Sequence, residues 1–363
     1  MKYSSHIFST KEKEDAGISA LLHQAKSFNT KAHIIRFVWM TSADDNSAYK
    51  KAFHLLKEHM RSIKQSIWTL VAQRPLFDEE YSLEVQYAEL DENETLIEKE
   101  CDGDRYLVLL SNTSKQLFLD LNSRDTSIQI REQAEDVFRR CYNILLKEEL
   151  SVDDIYRQWN YIEQITKLNC NAEQHYQMLN DARSRFYSKA EWKGGYPAAT
   201  GIGCTAGGIV ISINAGRGIE TIAIDNPLQI AAHAYSNDQL KNGGEEKNTT
   251  PKFERARSVF FSNETMFISG TAAIRGEKSS LSKDAAIQCR MTIENIEELI
   301  KQSKTKSTTF SSHPVRVYIK NESNAELIRD ICQNMFGNNA SFAFIEADIC
   351  REELLLEIEA QVY

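Results

Sequence analysis

The sequence predicts an α+β protein with two related halves, each a mixed sheet covered by helices on one face. In both halves, segments with strand patterns alternate with segments of helical spacing. The helix that follows Gln133 places its apolar residues in the same register as the helix that follows Gln288. The shared order and register indicate an internal duplication rather than two domains that match by chance. The strand, helix, strand, helix, strand order in the second half covers 265–270, 285–301, 315–319, 326–336 and 354–362.

The length of 363 residues also favours more than one domain. We expect a polar N-terminal arm, or a first loose strand, over residues 1–30 and a first domain over residues 31–222. A second domain is expected over residues 223–363, with the boundary in the polar stretch near residues 221–226.

Composition excludes several classes of function. The net charge of −9 gives no basic face for nucleic acid, and no apolar run is long enough to cross a bilayer. The N-terminus lacks an apolar signal core, and the seven cysteines are dispersed without CxxC pairs, so we expect a reducing cytoplasm. No His/Cys/Asp cluster has metal-ligand spacing, which predicts neither a metal nor a cofactor.

The last strand carries the candidate proton donor. After three leucines, polar and apolar residues alternate, so Glu357 and Glu359 share one face of the strand. A carboxyl that follows such an apolar run is partly desolvated, which raises its pKa and suits it to general acid catalysis. The alternative is a solvated edge strand with two surface glutamates, and Glu359 is open to either an orienting or a surface role.

The two copies differ at this strand. Aligning their ends places Ser212 and Asn214 opposite Glu357 and Glu359. The first copy therefore lacks both carboxylates. We therefore expect one working site, in the second copy, with the first copy acting as scaffold or wall.

Two glycine-containing segments are candidates for ligand contact. Tyr196–Gly203, which includes Thr200 and Gly201, would let backbone N–H groups approach a ligand, although no Lys-Ser/Thr follows to make a phosphate loop. Ser269, Gly270 and Thr271 could donate hydrogen bonds from a strand end. The structural alternatives are a permissive turn for the first segment and a β-bulge for the second.

The second half resembles the RidA/YjgF family, whose fold is chorismate-mutase-like. The resemblance rests on Phe267–Thr271, on the helix from Gln288 to Leu299 and on the terminal Glu357–Ala360. Imine deaminases of this family also use an arginine on the strand before the last, where this chain has Phe342. A simple deaminase is therefore the weaker alternative.

Residues 150–363 more closely resemble the chorismatases, two-domain relatives of RidA that act on chorismate. Six short segments in the family's order carry this likeness: Trp159–Ile162, Tyr196–Gly203, Asn226–Gln229, Phe253–Ala256, Ser269–Ile274 and Ala347–Arg351. The chain departs from the family at Glu277, at Met291 and in the 236–250 loop. These departures leave room for another substrate or product.

The resemblance implies cleavage of the enolpyruvyl ether of chorismate, with Glu357 as general acid. Arg183 and Arg255 would then bind the two substrate carboxylates, with Arg185 and Arg257 as the alternatives in each pair. For any one of these arginines, a surface charge is the competing interpretation.

The resemblance assigns further roles beside the acid. Cys350 would select the product, as in the type that releases 3-hydroxybenzoate rather than a dihydroxycyclohexadiene carboxylate, unless it is simply a small buried residue. Tyr235 would hydrogen-bond the substrate, whereas His233 is expected to be structural or exposed. A non-catalytic small-acid-binding protein is the alternative from another class, and RidA relatives suggest a homotrimer.

Overall fold

The computed structural model describes residues 1–236, 249–303, 314–337 and 340–363. Most of the 236–250 loop, where the sequence departs from the chorismatase pattern, lies outside these residues. The described strands form three large sheets and a two-stranded ribbon. In each large sheet one parallel strand pair accompanies antiparallel neighbours, so all three are mixed. The predicted α+β class, with mixed sheets and helices on one face, is confirmed.

The first unit has four strands in the order β1-β5-β2-β3. Its elements are β1 (Lys2–Thr10), α1 (Glu14–Phe28), β2 (His33–Thr41), α2 (Asn46–Met60), β3 (Ile67–Ala72) and β5 (Tyr81–Glu89). The short strand β4 (Arg74–Pro75) leaves this unit and pairs with the edge of the third sheet.

The second unit has six strands in the order β10-β9-β11-β8-β7-β6. Its elements are β6 (Thr95–Cys101), β7 (Asp104–Leu110), β8 (Lys115–Asn122), α3 (Ile130–Lys147), β9 (Ile155–Glu163), α4 (His175–Tyr187), β10 (Ala198–Cys204) and β11 (Ile209–Arg217).

The third unit repeats this order as β12-β13-β14-β19-β17-β18. Its elements are β12 (Glu220–Ile224), β13 (Ala256–Phe260), β14 (Glu264–Thr271), α5 (Ala285–Lys301), β17 (Pro314–Ile319), α6 (Ala325–Phe336), β18 (Ser341–Glu346) and β19 (Leu356–Val362). The ribbon of β15 (Ile274–Arg275) and β16 (Lys278–Ser279) precedes α5.

Residues 1–30 are not an arm, which corrects the sequence prediction. They form β1 and α1, and β1 pairs with β5 along its whole length. Tyr3, Ser5 and Ile7 are buried at alternate positions, so one face of this polar-looking strand lies in the core. The chain thus has three related sheets where the sequence analysis separated two. The domain limits at 31–222 and 223–363 stay a prediction, and residue 222 lies inside β12.

Each sheet buries both of its faces. One face packs against its own pair of helices, in three separate apolar clusters. The opposite faces of all three sheets meet in a shared cluster that includes Tyr3, Phe267 and Tyr318. The central position of this cluster explains why the strands carry near-continuous apolar runs as well as alternation.

A buried arginine occupies the same register position in each unit. Arg36 is opposite Gln86, Arg157 is opposite Asn214, and Arg316 is opposite Glu359. All three are at most 2% exposed, so each guanidinium needs a partner inside the protein.

Each arginine finds its partner in the next unit. Arg36 Nη1 donates to Asn214 Oδ1 at 2.6 Å, Arg157 Nη2 lies 2.7 Å from Glu359 Oε2, and Arg316 Nη2 lies 2.6 Å from Glu84 Oε2. The contacts run from the first unit to the second, from the second to the third and from the third to the first. We call the three arginines and their carboxylates the central ion-pair ring, which also includes Asp120 beside Arg36.

Replacing Arg316 with methionine should strongly destabilise the protein. The substitution leaves the Glu84 carboxylate buried without its cation, and loss of one partner from a buried pair costs about 3–5 kcal/mol. Chemical denaturation followed by circular dichroism measures the change. Arg61→Met is the control, because Arg61 is 81% exposed in its pair with Glu58 and its loss should cost below about 1 kcal/mol. Equal effects of the two substitutions would contradict the role of the ring.

Candidate active site

A cavity of about 130 Å³ lies where the second unit meets the third. Strand β10 of the second unit faces β14 of the third across this boundary, and helix α4 covers one side. Side chains from both units line the cavity. The polar and charged ones include Tyr176, Gln177, Asn180, Arg183, Tyr235, Arg255, Cys350, Arg351, Glu353 and Glu357.

Glu357 is the buried acid of this cavity. It lies on β19, which is paired on both sides by β14 and β17, so the solvated edge strand considered from the sequence is wrong. The side chain is 5% exposed, and none of the described residues forms a hydrogen bond with its carboxyl group. Burial, and next the negative charge of Glu359, raise the pKa of Glu357 to about 8 against the opposing effects of Arg157 and Arg255.

Gly270 gives Glu357 the space it occupies. A Cβ atom at position 270 would collide with Oε1 of Glu357. The glycine in the Ser-Gly-Thr segment is therefore required by close approach of the acid. Gly270 and Gly201 both line the cavity, and their contact with a ligand stays a prediction.

Arg183 and Arg255 both line the cavity, Arg183 from α4 and Arg255 from the segment before β13. Arg183 Nη2 donates to Asn180 Oδ1 at 2.6 Å, and Arg255 Nη2 donates to the Ile230 carbonyl at 2.7 Å. In both arginines the buried Nε–H lacks a hydrogen-bond partner among the described residues. Buried donors without partners are uncommon in proteins, so these two groups are suited to bind an anionic ligand.

The alternative arginines are placed elsewhere. Arg185 is exposed and forms an ion pair with Glu135. Arg257 donates to the carbonyls of Gly195 and Tyr196, which fixes that loop outside the cavity. In each of the two arginine pairs that the sequence left open, one member lines the cavity and the other does not.

Tyr235 lies between two guanidinium groups. Arg255 is 5.5 Å and Arg351 is 5.2 Å from the centre of its ring, and the Tyr235 hydroxyl accepts a hydrogen bond from Arg255. Arg351 was not selected from the sequence, although it ends the Ala347–Arg351 segment. His233 is exposed and lies against Tyr196.

Cys350 lines the same cavity as Glu357. Burial, and then the nearby Glu357 carboxyl, raise the pKa of the Cys350 thiol to about 12. The thiol therefore stays protonated at neutral pH and is not an activated nucleophile.

Four predicted substrate contacts do not line the cavity. Ser269 Oγ donates to the Glu254 carbonyl, and Thr271 Oγ1 donates to the Ser269 carbonyl. Tyr196 packs against other aromatic rings, and Thr200 is buried behind the cavity wall. These positions support the wall rather than form its surface.

The sequence analysis missed the polar face of α4. Tyr176, Asn180 and Arg183 lie on one face because they are three to four residues apart. From this helix the sequence analysis selected only Arg183, with Arg185 as the alternative. Its signal was the set of polar residues on a face that the fold buries.

Neither a metal cluster nor a membrane span is found in the described ranges. No group of three or more His, Cys, Asp or Glu side chains there is placed to hold a metal ion. No helix there is both long and apolar enough to cross a membrane.

Known proteins share both the fold and parts of the sequence. The family described as chorismatase FkbO/Hyg5-like, N-terminal, matches residues 98–215. A 3-hydroxybenzoate synthase of Streptomyces hygroscopicus is 30% identical over 230 residues, which cover 60% of this chain and 66% of that protein. A chorismatase of the same organism is 29% identical over 219 residues, covering 57% and 60%. The matches thus span just under two thirds of each relative.

A crystal structure of a chorismatase superposes with a TM-score of 0.76 at 20% identity, covering 100% of this chain and 98% of that one. The chain therefore has the fold of that chorismatase, with mixed sheets, helix-covered faces and a buried acid at a boundary between units. Residues 98–215 also match the N-terminal part of FkbO/Hyg5-like chorismatases.

Glu357 should make stability depend on pH. Its pKa is raised from 4.5 to about 8 on folding. Its contribution to the free energy of unfolding is therefore fully present below pH 4.5 and is lost as the pH rises through 8. The free energy of unfolding of Glu357→Gln minus that of wild type should therefore increase by on the order of a few kcal/mol from pH 5 to pH 9. Urea denaturation at both pH values measures this difference. The exposed Glu352→Gln is the control, and a constant difference for Glu357→Gln would disprove the shift.

Proposed function

We propose that this protein cleaves the enolpyruvyl ether of chorismate and releases pyruvate. The observation that carries the proposal is the Glu357 carboxyl, which is buried without a hydrogen bond to the described residues in a cavity that also holds Arg183 and Arg255. The names of the related proteins, chorismatase and 3-hydroxybenzoate synthase, support the same substrate. A dicarboxylate such as chorismate matches a cavity with separate guanidinium groups.

Glu357 acts first, as general acid. The neutral carboxyl transfers its proton to the terminal methylene carbon of the enolpyruvyl group, whose π electrons form the new C–H bond. An oxocarbenium ion results. Water adds to its central carbon and gives a proton back to the Glu357 carboxylate, so that a hemiketal forms. The C–O bond to the ring oxygen then breaks, the ring oxygen takes up the proton, and pyruvate leaves. A pKa of about 8 keeps the proton on Glu357 at neutral pH, so that it is available for transfer to carbon.

The arginines orient the substrate during this step. Arg183 projects from α4 of the second unit, whereas Arg255 precedes β13 of the third. Two cations on separate units fix the two carboxylates and so place the ether between them. Tyr235, held by Arg255, offers a further hydrogen-bonding group.

Cys350 favours the aromatic product, 3-hydroxybenzoate. The side chain lies in the cavity beside Glu357, where its size affects the position of the ring. The aromatic route converts chorismate to pyruvate and 3-hydroxybenzoate without net uptake of water. The alternative route takes up one water and gives a dihydroxycyclohexadiene carboxylate.

The two alternatives have less support. A RidA-like deaminase would need an arginine where this chain has Phe342, whose ring packs against Phe336 and Phe344. A small-acid-binding protein would bind chorismate without turning it over. We further infer a cytoplasmic enzyme, consistent with the free cysteines, and a homotrimer stays a prediction.

Purified protein should release pyruvate from chorismate, measured by coupling to lactate dehydrogenase. Glu357→Gln should lower kcat by about 10²–10⁴-fold, because the amide cannot donate the proton to carbon. Glu352→Gln makes the same substitution at an exposed position and should leave kcat unchanged. The ultraviolet spectrum of the product distinguishes 3-hydroxybenzoate from the diene. Absence of pyruvate, with chorismate still bound, would favour the binding protein.

Arg183→Met should raise KM about ten- to hundred-fold, because it removes charge-assisted hydrogen bonds to a substrate carboxylate. Arg185→Met, two residues further along α4, is the matched control and should change KM less than about two-fold, since Arg185 is an exposed residue. Steady-state kinetics of both variants measure the effect. If the two variants behave alike, Arg183 does not bind the substrate.

A further inference from the structure

Thr200 connects the second and third units directly behind Glu357. Its hydroxyl accepts hydrogen bonds from Arg157 Nη2 at 2.8 Å and from the backbone N–H of Gly270 at 3.1 Å. It also donates to Glu359 Oε2. A hydroxyl has one donor and two acceptor positions, so these three contacts use its full capacity. Thr200 has no remaining hydrogen bond to give to a substrate.

Glu359 is the carboxylate that Thr200 holds. Arg157 lies 2.7 Å from its Oε2, and Arg316 lies 2.9 Å from its Oε1. The Tyr318 hydroxyl donates to Oε1 at 3.1 Å. Two guanidinium groups and two hydroxyls keep this carboxylate in a single orientation, on the face of β19 that it shares with Glu357.

Gly270 is the second group that Thr200 fixes. The carboxyl of Glu357 lies so close to Gly270 that a Cβ atom has no space there. The Thr200 hydrogen bond to the Gly270 N–H therefore sets the wall against which the acid rests. Thr200 thus contacts both Gly270, against which Glu357 lies, and Glu359, the charged residue next to Glu357.

We propose that Thr200, through Gly270 and the Glu359–Arg157 ion pair, is a positioning residue that holds Glu357 in the cavity as a proton donor. The proposal deepens the proposed function and rests on it. It assigns the second unit, which lacks an acid of its own, an essential part in orienting the acid of the third.

Charged and titratable groups surround Glu357 from every packed element. Glu359 lies on its own strand, and Arg157 approaches from β9 behind it. Removal of the Glu359 charge leaves Arg157 uncompensated and should favour ionised Glu357. The remaining groups that face the cavity are Tyr176 and Arg183 from α4, Tyr235 and Arg255 before β13, and Cys350, Arg351 and Glu353 before β19.

Thr200→Val tests the hydroxyl, and Thr200→Ser is the matched variant that restores it. The valine variant should lower kcat about ten- to hundred-fold with KM changed less than about three-fold, because the acid is misplaced while the arginines remain. The serine variant should recover most of kcat. A folded valine variant with kcat within two-fold of wild type would overturn the proposal.

Glu359→Gln tests the charge in case the valine variant does not fold. The alkaline limb of its kcat profile, where kcat falls as the pH rises, should lie at least about one pH unit lower than in wild type. The reason is that Glu357 ionises more readily in this variant. Glu359→Asp retains the charge and should keep the wild-type limb. An unchanged limb in Glu359→Gln would contradict the proposal, since a merely structural role would lower activity without moving it.

An infrared measurement separates this proposal from the proposed function. The carboxyl C=O band of Glu357 at pH 6 is obtained as wild type minus Glu357→Gln, without substrate. The band should broaden or shift in Thr200→Val and stay as in wild type in Thr200→Ser. If wild type does not cleave chorismate, the function fails, yet this band still decides the positioning role. An unaltered band in Thr200→Val would reject it.

Discussion

The fold depends on arginine–carboxylate contacts at the centre of three sheets. Arg36, Arg157 and Arg316 occupy one register position, and each reaches from its own unit into the next. Buried guanidinium groups are costly unless they are paired, so each unit is stabilised in place by its neighbour. The ring also specifies which face of each sheet points inward, because a slip of one residue would direct every arginine outward.

The candidate active site lies at one of the three equivalent positions in this arrangement. Glu357, Ser212 and Glu84 lie at matching positions on the last strand of their units, two residues before Glu359, Asn214 and Gln86. In the first unit, burial alone would raise the pKa of Glu84, but Arg316 and Gln86 hold it below its ordinary value. In the second unit the position holds a serine. The third unit combines a carboxyl at this position with a cavity and without a paired cation, so its acid retains a proton.

The same ion pairs connect stability with chemistry. Glu359 belongs to the central ring, and its charge also raises the pKa of Glu357. Arg157, which belongs to the second unit, pairs with Glu359 and itself lowers the pKa of Glu357. The acid strength of Glu357 is therefore set by groups from two units, and the cavity exists because those units meet there.

The sequence by itself determined the α+β class, two of the three related units and the candidate acid Glu357. Period-2 alternation and helical spacing are local properties, and short ordered segments carried the resemblance to the chorismatases. Glu357, Cys350, Arg183 and Arg255 were all selected in this way, and all four line the cavity. Residues 1–30 were missed because their polar side chains alternate with few large apolar ones.

Only the tertiary structure decided which polar residues line the cavity and which support its wall. Thr200 and Gly201 are adjacent in sequence, yet the first completes its hydrogen bonds behind the wall and the second lines the cavity. Arg183 and Arg185 differ in the same way. Such choices depend on contacts between residues far apart in the chain, because burial and partners across unit boundaries, rather than residue type, set a side chain's charge state and free hydrogen-bonding groups.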